Sequence, residues 1–203
     1  MGPRTQLWDP DFVGVDGVHN EIYVTSGERV LVFNQQANGD VAPLRIIEGP
    51  DTRLGRMRGA PQVVPGGELM VVSAGPIPGK SSNRALLIFN RTANGNVKPL
   101  RAIEGVGSDD FVISPKGWIL IGGSANQGAR GGGEQGQESG EPNGVIRIWS
   151  VNDNGNVPPR WIVGGPRTKM NGDNLALNPN AKEVIVHKGD QNGMAGYSLP
   201  EIF

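Results

Sequence analysis

The sequence predicts an all-β protein, a β-propeller assembled from four-stranded antiparallel blades. One stretch occurs in three copies, VLVFNQQANGDVAPLRIIEGP at 30–50, LLIFNRTANGNVKPLRAIEGV at 86–106 and IRIWSVNDNGNVPPRWIVGGP at 146–166. A repeat of this size indicates one supersecondary unit used several times. The unit holds short β-branched and aromatic runs separated by glycine-containing turns, and nothing in it has a helical period. Four short antiparallel strands per unit are typical of a propeller blade.

The first blade, about residues 11–49, shows its four strands in order. Each predicted strand is a β-branched or aromatic run bounded by turn residues. The runs are Phe12–Val15, Glu21–Thr25, Arg29–Phe33 and Leu44–Ile47. Asn38 and Gly39 between the last two runs form a hairpin-turn dipeptide, because Asn and Gly tolerate positive φ.

The later blades follow the same order. Blade two is predicted at about 60–105, blade three at about 109–165 with a glycine-rich insertion at 122–144, and an incomplete blade four at about 173–203. The last unit runs out after Gly196–Leu199. The chain therefore holds about three and a half blades, whereas propellers close with about four to eight. We expect upstream blades to complete the ring, or copies of the chain to complete it by self-association.

The repeat also resembles a known family. The E-I-Y-V-like strand, the V-L-V-F-N strand and the A-N-G-N-V-x-P-L-R-x-I-x-G segment are similar to the NHL/YVTN-type repeats of six-bladed β-propellers. The resemblance covers almost the whole chain and implies a partial, C-terminal set of blades from a six-bladed fold. Some members of this superfamily are interaction scaffolds, and gluconolactonase-type relatives hydrolyse lactones with a central divalent metal. The resemblance thus implies a fold and leaves the activity open.

Composition excludes several classes of function. The chain of 203 residues has no cysteine, which excludes disulfides, thiolate catalysis and thiolate metal sites. Its formal net charge of -1 gives no bulk attraction to nucleic acid or to an anionic membrane. No apolar stretch approaches the roughly 18 residues that span a bilayer, and the start of the chain lacks the apolar region of a signal peptide. The compartment stays open.

Variation between the copies concentrates on one face. In an antiparallel blade, the loops after strands two and four lie on the face opposite to the loops after strands one and three. The loop after strand two lengthens from blade one to residues 73–84 and to the glycine-rich tract 122–144. We read this tract as a tolerated surface insertion, with a partner-binding loop as the alternative. The same face should carry basic side chains able to hold an anionic ligand or partner, with a solvated rim as the competing interpretation. These are Arg53, Arg56, Arg58, Arg167 and Lys169.

A second set of polar residues precedes the inner strands. Asp11, Asp109 and Asp173 align at one position, and Phe12, Asp110 and Asn174 align one residue later. Carboxylates and amides that converge on the central channel are suitable ligands for Ca²⁺, which could polarise a carbonyl oxygen. Such residues also cap turns, and blade two offers Gly59 and Ala60 instead, so turn capping is the favoured interpretation.

The remaining candidates are weak. Neither His19 nor His187 has a serine or carboxylate neighbour at a recognisable catalytic spacing. Arg45 and Arg101 fit a structural role on an outer strand. No aromatic residues interleave with the basic ones, which argues against single-stranded nucleic acid. The sequence therefore favours a non-enzymatic scaffold that binds a protein or small ligand on the variable-loop face, with a metal-dependent lactone hydrolase as the alternative.

Overall fold

The computed structural model describes residues 2–75, 84–106, 110–125, 144–170, 174–188 and 193–203. It confirms the predicted all-β fold, with the strands grouped in successive antiparallel sheets. Blade 1 contains β1 Pro10–Asp16, β2 Glu21–Ser26, β3 Arg29–Asn34 and β4 Arg45–Ile47. Blade 2 contains β5 Gln62–Val63, β6 Leu69–Ala74, β7 Arg84–Asn90 and β8 Arg101–Val106. Blade 3 contains β9 Val112–Ile113, β10 Trp118–Ser124, β11 Gly144–Ser150 and β12 Trp161–Gly164, and blade 4 contains β13 Leu175–Asn178, β14 Glu183–Lys188 and β15 Gly193–Ser198.

Strand order within each blade follows the chain. Three sheets have four strands and the sheet of blade 4 has three in the described residues. The third strand of blade 4 starts at Gly193, earlier than the sequence pattern indicates, because its Gly-Met-Ala-Gly stretch lacks the β-branched residues that mark strands elsewhere. No helix in these ranges is long and apolar enough to span a membrane.

The inner strands lie side by side around an axis. β1 contacts β5, β5 contacts β9, and β9 contacts β13. Gly14 of β1 shows how close they are, because a Cβ atom at this position would clash with the carbonyl oxygen of Pro61. A larger residue at this position would push the two inner strands apart.

The cores lie between blades. Each interior blade buries apolar side chains on both faces, which is the main favourable free energy of the fold. Between blades 1 and 2 lie Tyr23, Val32, Met70 and Leu87. Between blades 2 and 3 lie Leu86, Ile88, Ile119 and Trp149, and between blades 3 and 4 lie Leu120, Ile148, Val184 and Val186.

One face of blade 1 is covered by no other blade in the part of the chain that the structure describes. Val13 and Val15 project from this face and are 57% and 64% exposed. Leu7 of the N-terminal segment packs on the more buried part of the same face, beside Leu31 and Phe33. The covering is therefore partial, and the inner strand β1 keeps an apolar edge in contact with solvent.

Three similar segments, which we call connectors, carry the sequence G-P-x-T at residues 2–7, 49–54 and 165–170. Each forms one turn of 3-10 helix, in which the Thr hydroxyl donates to the carbonyl oxygen of the Gly three residues earlier. Each turn ends on a non-glycine residue in the left-handed region. These residues are Gln6, Arg53 and Lys169.

The Asn-Gly turns have a different role from the hairpin turns that the sequence predicts. Gly39, Gly95 and Gly155 have the expected positive φ, but the turns do not close two-residue hairpins, since residues 35–44 separate β3 from β4. Instead, Gly95 forms a parallel bridge with Ile47 of the preceding blade, and Gly155 forms one with Ile103. Each of these two turns therefore ties neighbouring blades together.

Candidate functional site

The variable face is the face that carries the three connectors and the loops from second to third strands. The strand bounds leave residues 27–28, 75–83, 125–143 and 189–192 between these strands, and of them 76–83, 126–143 and 189–192 lie outside the described residues. Loops joining first to second strands, such as 17–20 and 114–117, lie on the opposite face because successive strands are antiparallel. The topology therefore separates the unequal loops from the uniform ones, as the sequence predicts.

Three of the candidate cations, Arg53, Arg56 and Arg58, lie in or just after the second connector. The Nη2 atom of Arg53 lies 2.9 Å from Oε1 of Glu104 on blade 2, so this guanidinium is already paired. Arg56 and Arg58 are exposed and flank Met57, which is only 3% exposed and packs in the core between blades 1 and 2. Met57 also bridges to Ala74. This anchor directs both neighbouring arginines outward.

The third connector also has exposed cations on either side of a less exposed residue. Arg167 and Lys169 are exposed on either side of Thr168, whose hydroxyl donates to Gly165 at 2.7 Å. The following Met170 is buried in the core between blades 3 and 4. Within the described residues no ion pair involves Arg56, Arg58, Arg167 or Lys169. Four cations thus project from two anchored segments of the variable face.

The strand register supports the alignment of the axial residues. Gly14, Gln62, Val112 and Ala176 each pair with the equivalent residue of a second strand. Two positions earlier in the chain stand Phe12, Ala60, Asp110 and Asn174. Counting back along the chain from these pairs aligns Asp110 with Asn174, one residue after the position of Asp11, while the observed pairing itself begins at Val112 and Leu175.

The axial residues show no assembled metal site in the part of the chain that the structure describes. Asp11, Asp110 and Asn174 are exposed, and the carbonyl oxygen of Asn174 accepts the His187 amide at 3.1 Å. Asp109 and Asp173 lie outside the described residues. Among the residues described, no group of three or more His, Asp or Glu side chains could hold a metal. Calcium binding at this position therefore stays a prediction.

Most of the glycine-rich insertion also lies outside the described ranges. Residues 122–124 belong to β10, Gly144 begins β11, and Ser124 pairs with Gly144 across the two strands. Residues 126–143 are not described. The insertion therefore starts from a regular hairpin stem on the variable face.

A polar cluster that no sequence pattern predicts lies between blades 1 and 2 on the opposite face. Its centre is the buried Glu21, which accepts hydrogen bonds from Arg45 at 2.8 Å and from Tyr23 at 2.6 Å. Arg91 of blade 2 lies 3.0 Å from Glu21 and also 3.0 Å from Glu68. The predicted structural role of Arg45 is thus supported, and it belongs to a network that no local sequence pattern signals.

Ionisation of this cluster is biased toward the charged carboxylate. Burial alone would raise the pKa of Glu21, but hydrogen bonds from Tyr23, Arg45 and Arg91 outweigh it and hold that pKa below its usual value. Burial and the same hydrogen bond to Glu21 raise the pKa of Tyr23. Glu21 is therefore a charged carboxylate that links blades 1 and 2 through its ion pairs with Arg45 and Arg91.

His19 has a carboxylate neighbour, Asp16, although its sequence spacing is not that of a catalytic pair. Its Nδ1 atom lies 2.7 Å from Oδ2 of Asp16, and its Nε2 atom lies 3.6 Å from Oε1 of Glu68. Asp16 also accepts the backbone amides of Val18 and His19, so this carboxylate shapes the turn. The ring consequently links the turn of blade 1 to blade 2.

Comparison with known proteins supports the fold. No protein-family model matches the chain, and no curated protein matches it in sequence. Among solved structures it is similar to a candidate 6-phosphogluconolactonase from Bacteroides uniformis, with 16% identity and a TM-score of 0.53. The match covers 93% of this chain and 50% of that one, so the chain spans about half the length of the similar protein. The chain is a β-propeller protein with four blades in the described structure.

Proposed function

We propose that this protein is a non-enzymatic β-propeller scaffold that binds an anionic ligand, either a protein or a small molecule, on its variable face. The observation that carries the proposal is the arrangement of four exposed cations, Arg56 and Arg58 just after the second connector and Arg167 and Lys169 on the third. Buried anchors hold each cation outward, and no described residue neutralises them through an ion pair.

Charge geometry supports an anionic ligand. Arginine offers a planar fork of donors that matches carboxylate or phosphate oxygens. The chain as a whole carries a formal net charge of -1, so attraction of an anion would come from this local group and not from a general positive field. The neighbouring unequal loops would supply selectivity, because binding residues are frequent on loops held by a rigid scaffold.

Equilibrium binding of fluorescent polyglutamate, measured at low and at raised ionic strength, tests this function. We expect saturable binding that weakens as salt screens the contact. In parallel, equilibrium binding of labelled 6-phosphogluconate tests whether the protein binds a small phosphorylated ligand. Absence of binding to both probes at low ionic strength would contradict the proposal.

The alternative function is a divalent-metal-dependent lactone hydrolase. Two observations favour it as a second candidate: the similarity to a protein described as a candidate 6-phosphogluconolactonase, and the register that aligns Asp110 with Asn174. Asp11, Asp109, Asp110, Asp173 and Asn174 would then surround a Ca²⁺ ion at the central channel, which would polarise the lactone carbonyl. Hydrolysis of 6-phosphogluconolactone, followed with added calcium and with chelator, distinguishes the two functions.

Self-association is a further part of the proposal. The uncovered face of blade 1, with Val13 and Val15, resembles in composition the faces buried between blades and would be covered by another blade of a second copy. Sedimentation equilibrium should then give a mass above that of a single chain. A Val13→Lys, Val15→Lys variant would return the mass to that of the monomer if this face forms the contact.

A further inference from the structure

The Asn-Gly turns of blades 2 and 3 contain two groups that can react with each other. In an Asn-Gly sequence the amide nitrogen of the glycine can attack Cγ of the asparagine side chain, because glycine has no side chain to hinder the approach. The new bond from nitrogen to Cγ closes a succinimide ring, and the amide proton leaves with the side-chain nitrogen as ammonia. Water then opens the ring at either carbonyl and gives aspartate or isoaspartate. Asn94–Gly95 and Asn154–Gly155 both have this sequence.

Blade 1 holds both reactive groups of the blade 2 turn. The amide of Gly95 donates to the carbonyl oxygen of Ile46 at 2.6 Å, and Oδ1 of Asn94 accepts the Ile46 amide at 3.1 Å. Attack requires the glycine nitrogen to release its proton, which the first hydrogen bond opposes. It also requires the asparagine side chain to rotate toward that nitrogen, which the second hydrogen bond opposes. The turn is therefore fixed in an unreactive arrangement while the two blades stay in contact.

Blade 2 holds the turn of blade 3 in the same way. The amide of Gly155 donates to the carbonyl oxygen of Ala102 at 2.6 Å, and Oδ1 of Asn154 accepts the Ala102 amide at 3.0 Å. Both Asn94 and Asn154 are exposed, so water has access to their side chains. Hydrogen bonding to the preceding blade, and not burial, therefore distinguishes the folded protein from the unfolded chain at these two positions.

Further contacts attach the blade 2 turn to the second connector. Oδ1 of Asn96 accepts the Asp51 amide at 2.8 Å, and Nδ2 of Asn96 donates to Oδ2 of Asp51 at 3.2 Å. The Glu48 amide also donates to the carbonyl oxygen of Gly95 at 3.3 Å. To free the glycine nitrogen, the turn has to leave both β4 and the connector. This movement is a local separation of blade 2 from blade 1.

We propose that Asn94 and Asn154 are sites of spontaneous deamidation that react only when their turns separate from the preceding blade. The rate then follows the fraction of molecules in which the turn is detached. The main chain of the isoaspartate product runs through the former side chain and is one carbon longer, so the glycine amide no longer aligns with the carbonyl oxygen of the preceding blade. The modification therefore makes the loss of this contact permanent. It does not depend on the proposed ligand, because no ligand group takes part in it.

Peptide mapping by mass spectrometry, with chromatographic separation of isoaspartate, tests this proposal. Deamidation of Asn94 and Asn154 is followed at mildly alkaline pH in the folded protein and in guanidinium chloride above the unfolding midpoint. A synthetic peptide of residues 90–99, NRTANGNVKP, measured in both solutions, corrects for the effect of the denaturant on the reaction itself. We expect both asparagines to react at least about tenfold more slowly in the folded protein. Equal corrected rates in the two solutions would overturn the proposal.

Variants on blade 1 separate local release of the turn from a general loss of stability. Ile46→Pro removes the amide that Asn94 accepts, at an outer-strand position that tolerates proline, and Ile46→Val keeps that amide. The proline variant should deamidate about fivefold faster at Asn94, the effect of one lost hydrogen bond, and at an unchanged rate at Asn154. The valine variant should change neither rate.

A second variant repeats the test without proline. Asn96→Ala removes the side-chain contacts with Asp51 and should also accelerate the reaction at Asn94 alone, relative to the same variant in denaturant. It replaces Ile46→Pro if that variant fails to fold. Equal acceleration at Asn94 and Asn154, or no acceleration at Asn94 in the folded variants, would overturn the proposal.

Discussion

The guanidinium of Arg91 on blade 2 lies 3.0 Å from the carboxylate of Glu21 on blade 1, across a sequence separation of 70 residues. Arg45 approaches the same carboxylate from blade 1 at 2.8 Å. Because Glu21 and both arginines are largely shielded from solvent, removal of the central charge leaves Arg45 without a carboxylate partner among the described residues and leaves Arg91 paired with Glu68 alone. Glu21 therefore links the two arginines across the blade 1–2 interface, beside the apolar core of that interface.

Glu21→Gln should lower the free energy of unfolding by about 3 kcal/mol, the usual cost of breaking a buried ion pair from one side. Urea unfolding at neutral pH measures the change. Glu28→Gln is the matched control, because Glu28 is exposed and forms no ion pair in the described residues, and it should change stability by less than about 0.5 kcal/mol. Equal effects of the two substitutions would contradict the role of Glu21.

Acidification should remove the stabilisation that the charged Glu21 carboxylate provides. The folded-state pKa of Glu21 lies below its ordinary value of 4.5, so the folded protein binds this proton less readily than the unfolded chain. The stabilisation is complete above the ordinary pKa and is lost as pH falls through the lowered one. The stability difference between the unaltered protein and Glu21→Gln, measured from pH 7 to pH 3, should stay level and then shrink below about pH 4.5. A difference that persists unchanged at pH 3 would refute this assignment.

The Asn-Gly turns should differ in their contribution to stability. Asn94→Ala removes the acceptor for the Ile46 amide and should cost about 1 kcal/mol, and Asn154→Ala should cost a similar amount. Asn38→Ala is the control, since its turn caps no strand in the described part of the chain. Thermal unfolding of the three variants measures the order of their stability losses. A loss for Asn38→Ala as large as for Asn94→Ala would show that capping of the outer-strand amide is not the cause of the destabilisation.

Calcium tests the alternative function. If the axial residues form a metal site, calcium should raise the thermal midpoint relative to chelator, because a ligand that binds only the folded state stabilises it. Asp109→Ala and Asp173→Ala should abolish that difference. An unchanged midpoint in the unaltered protein, with no turnover of 6-phosphogluconolactone, would exclude the calcium-dependent hydrolase.

The strands could be predicted because their signals are local. Runs such as Glu21–Thr25 and Arg29–Phe33 carry β-branched residues between turn residues, and they differ from the observed strands by one residue. The strand Gly193–Ser198 was less evident because glycine and methionine carry no such preference. The connectors were missed although the motif G-P-x-T repeats, since a single 3-10 turn has no hydrophobic period.

Contacts between blades could not be predicted from local patterns. The ion pair of Glu21 with Arg91 and the bridge of Gly95 with Ile47 depend on how one blade packs against the next. The contact of His19 with Asp16 comes nearest to being predictable from the sequence. Asp16 stands three residues before His19, and a turn brings the two side chains together. The exposure of Arg56 and Arg58 likewise follows from the burial of Met57, which only the packed core reveals.

Charge reversal on the variable face tests the proposed function most directly. The substitutions Arg56→Glu, Arg58→Glu, Arg167→Glu and Lys169→Glu would be compared with Lys98→Glu, Lys116→Glu and Lys182→Glu, which lie on exposed loops of the opposite face. The dissociation constant for fluorescent polyglutamate should rise by at least about tenfold in the first variant, a loss of about 1.4 kcal/mol, and change little in the second. Equal weakening by both variants, or no weakening by the first, would contradict binding on the variable face.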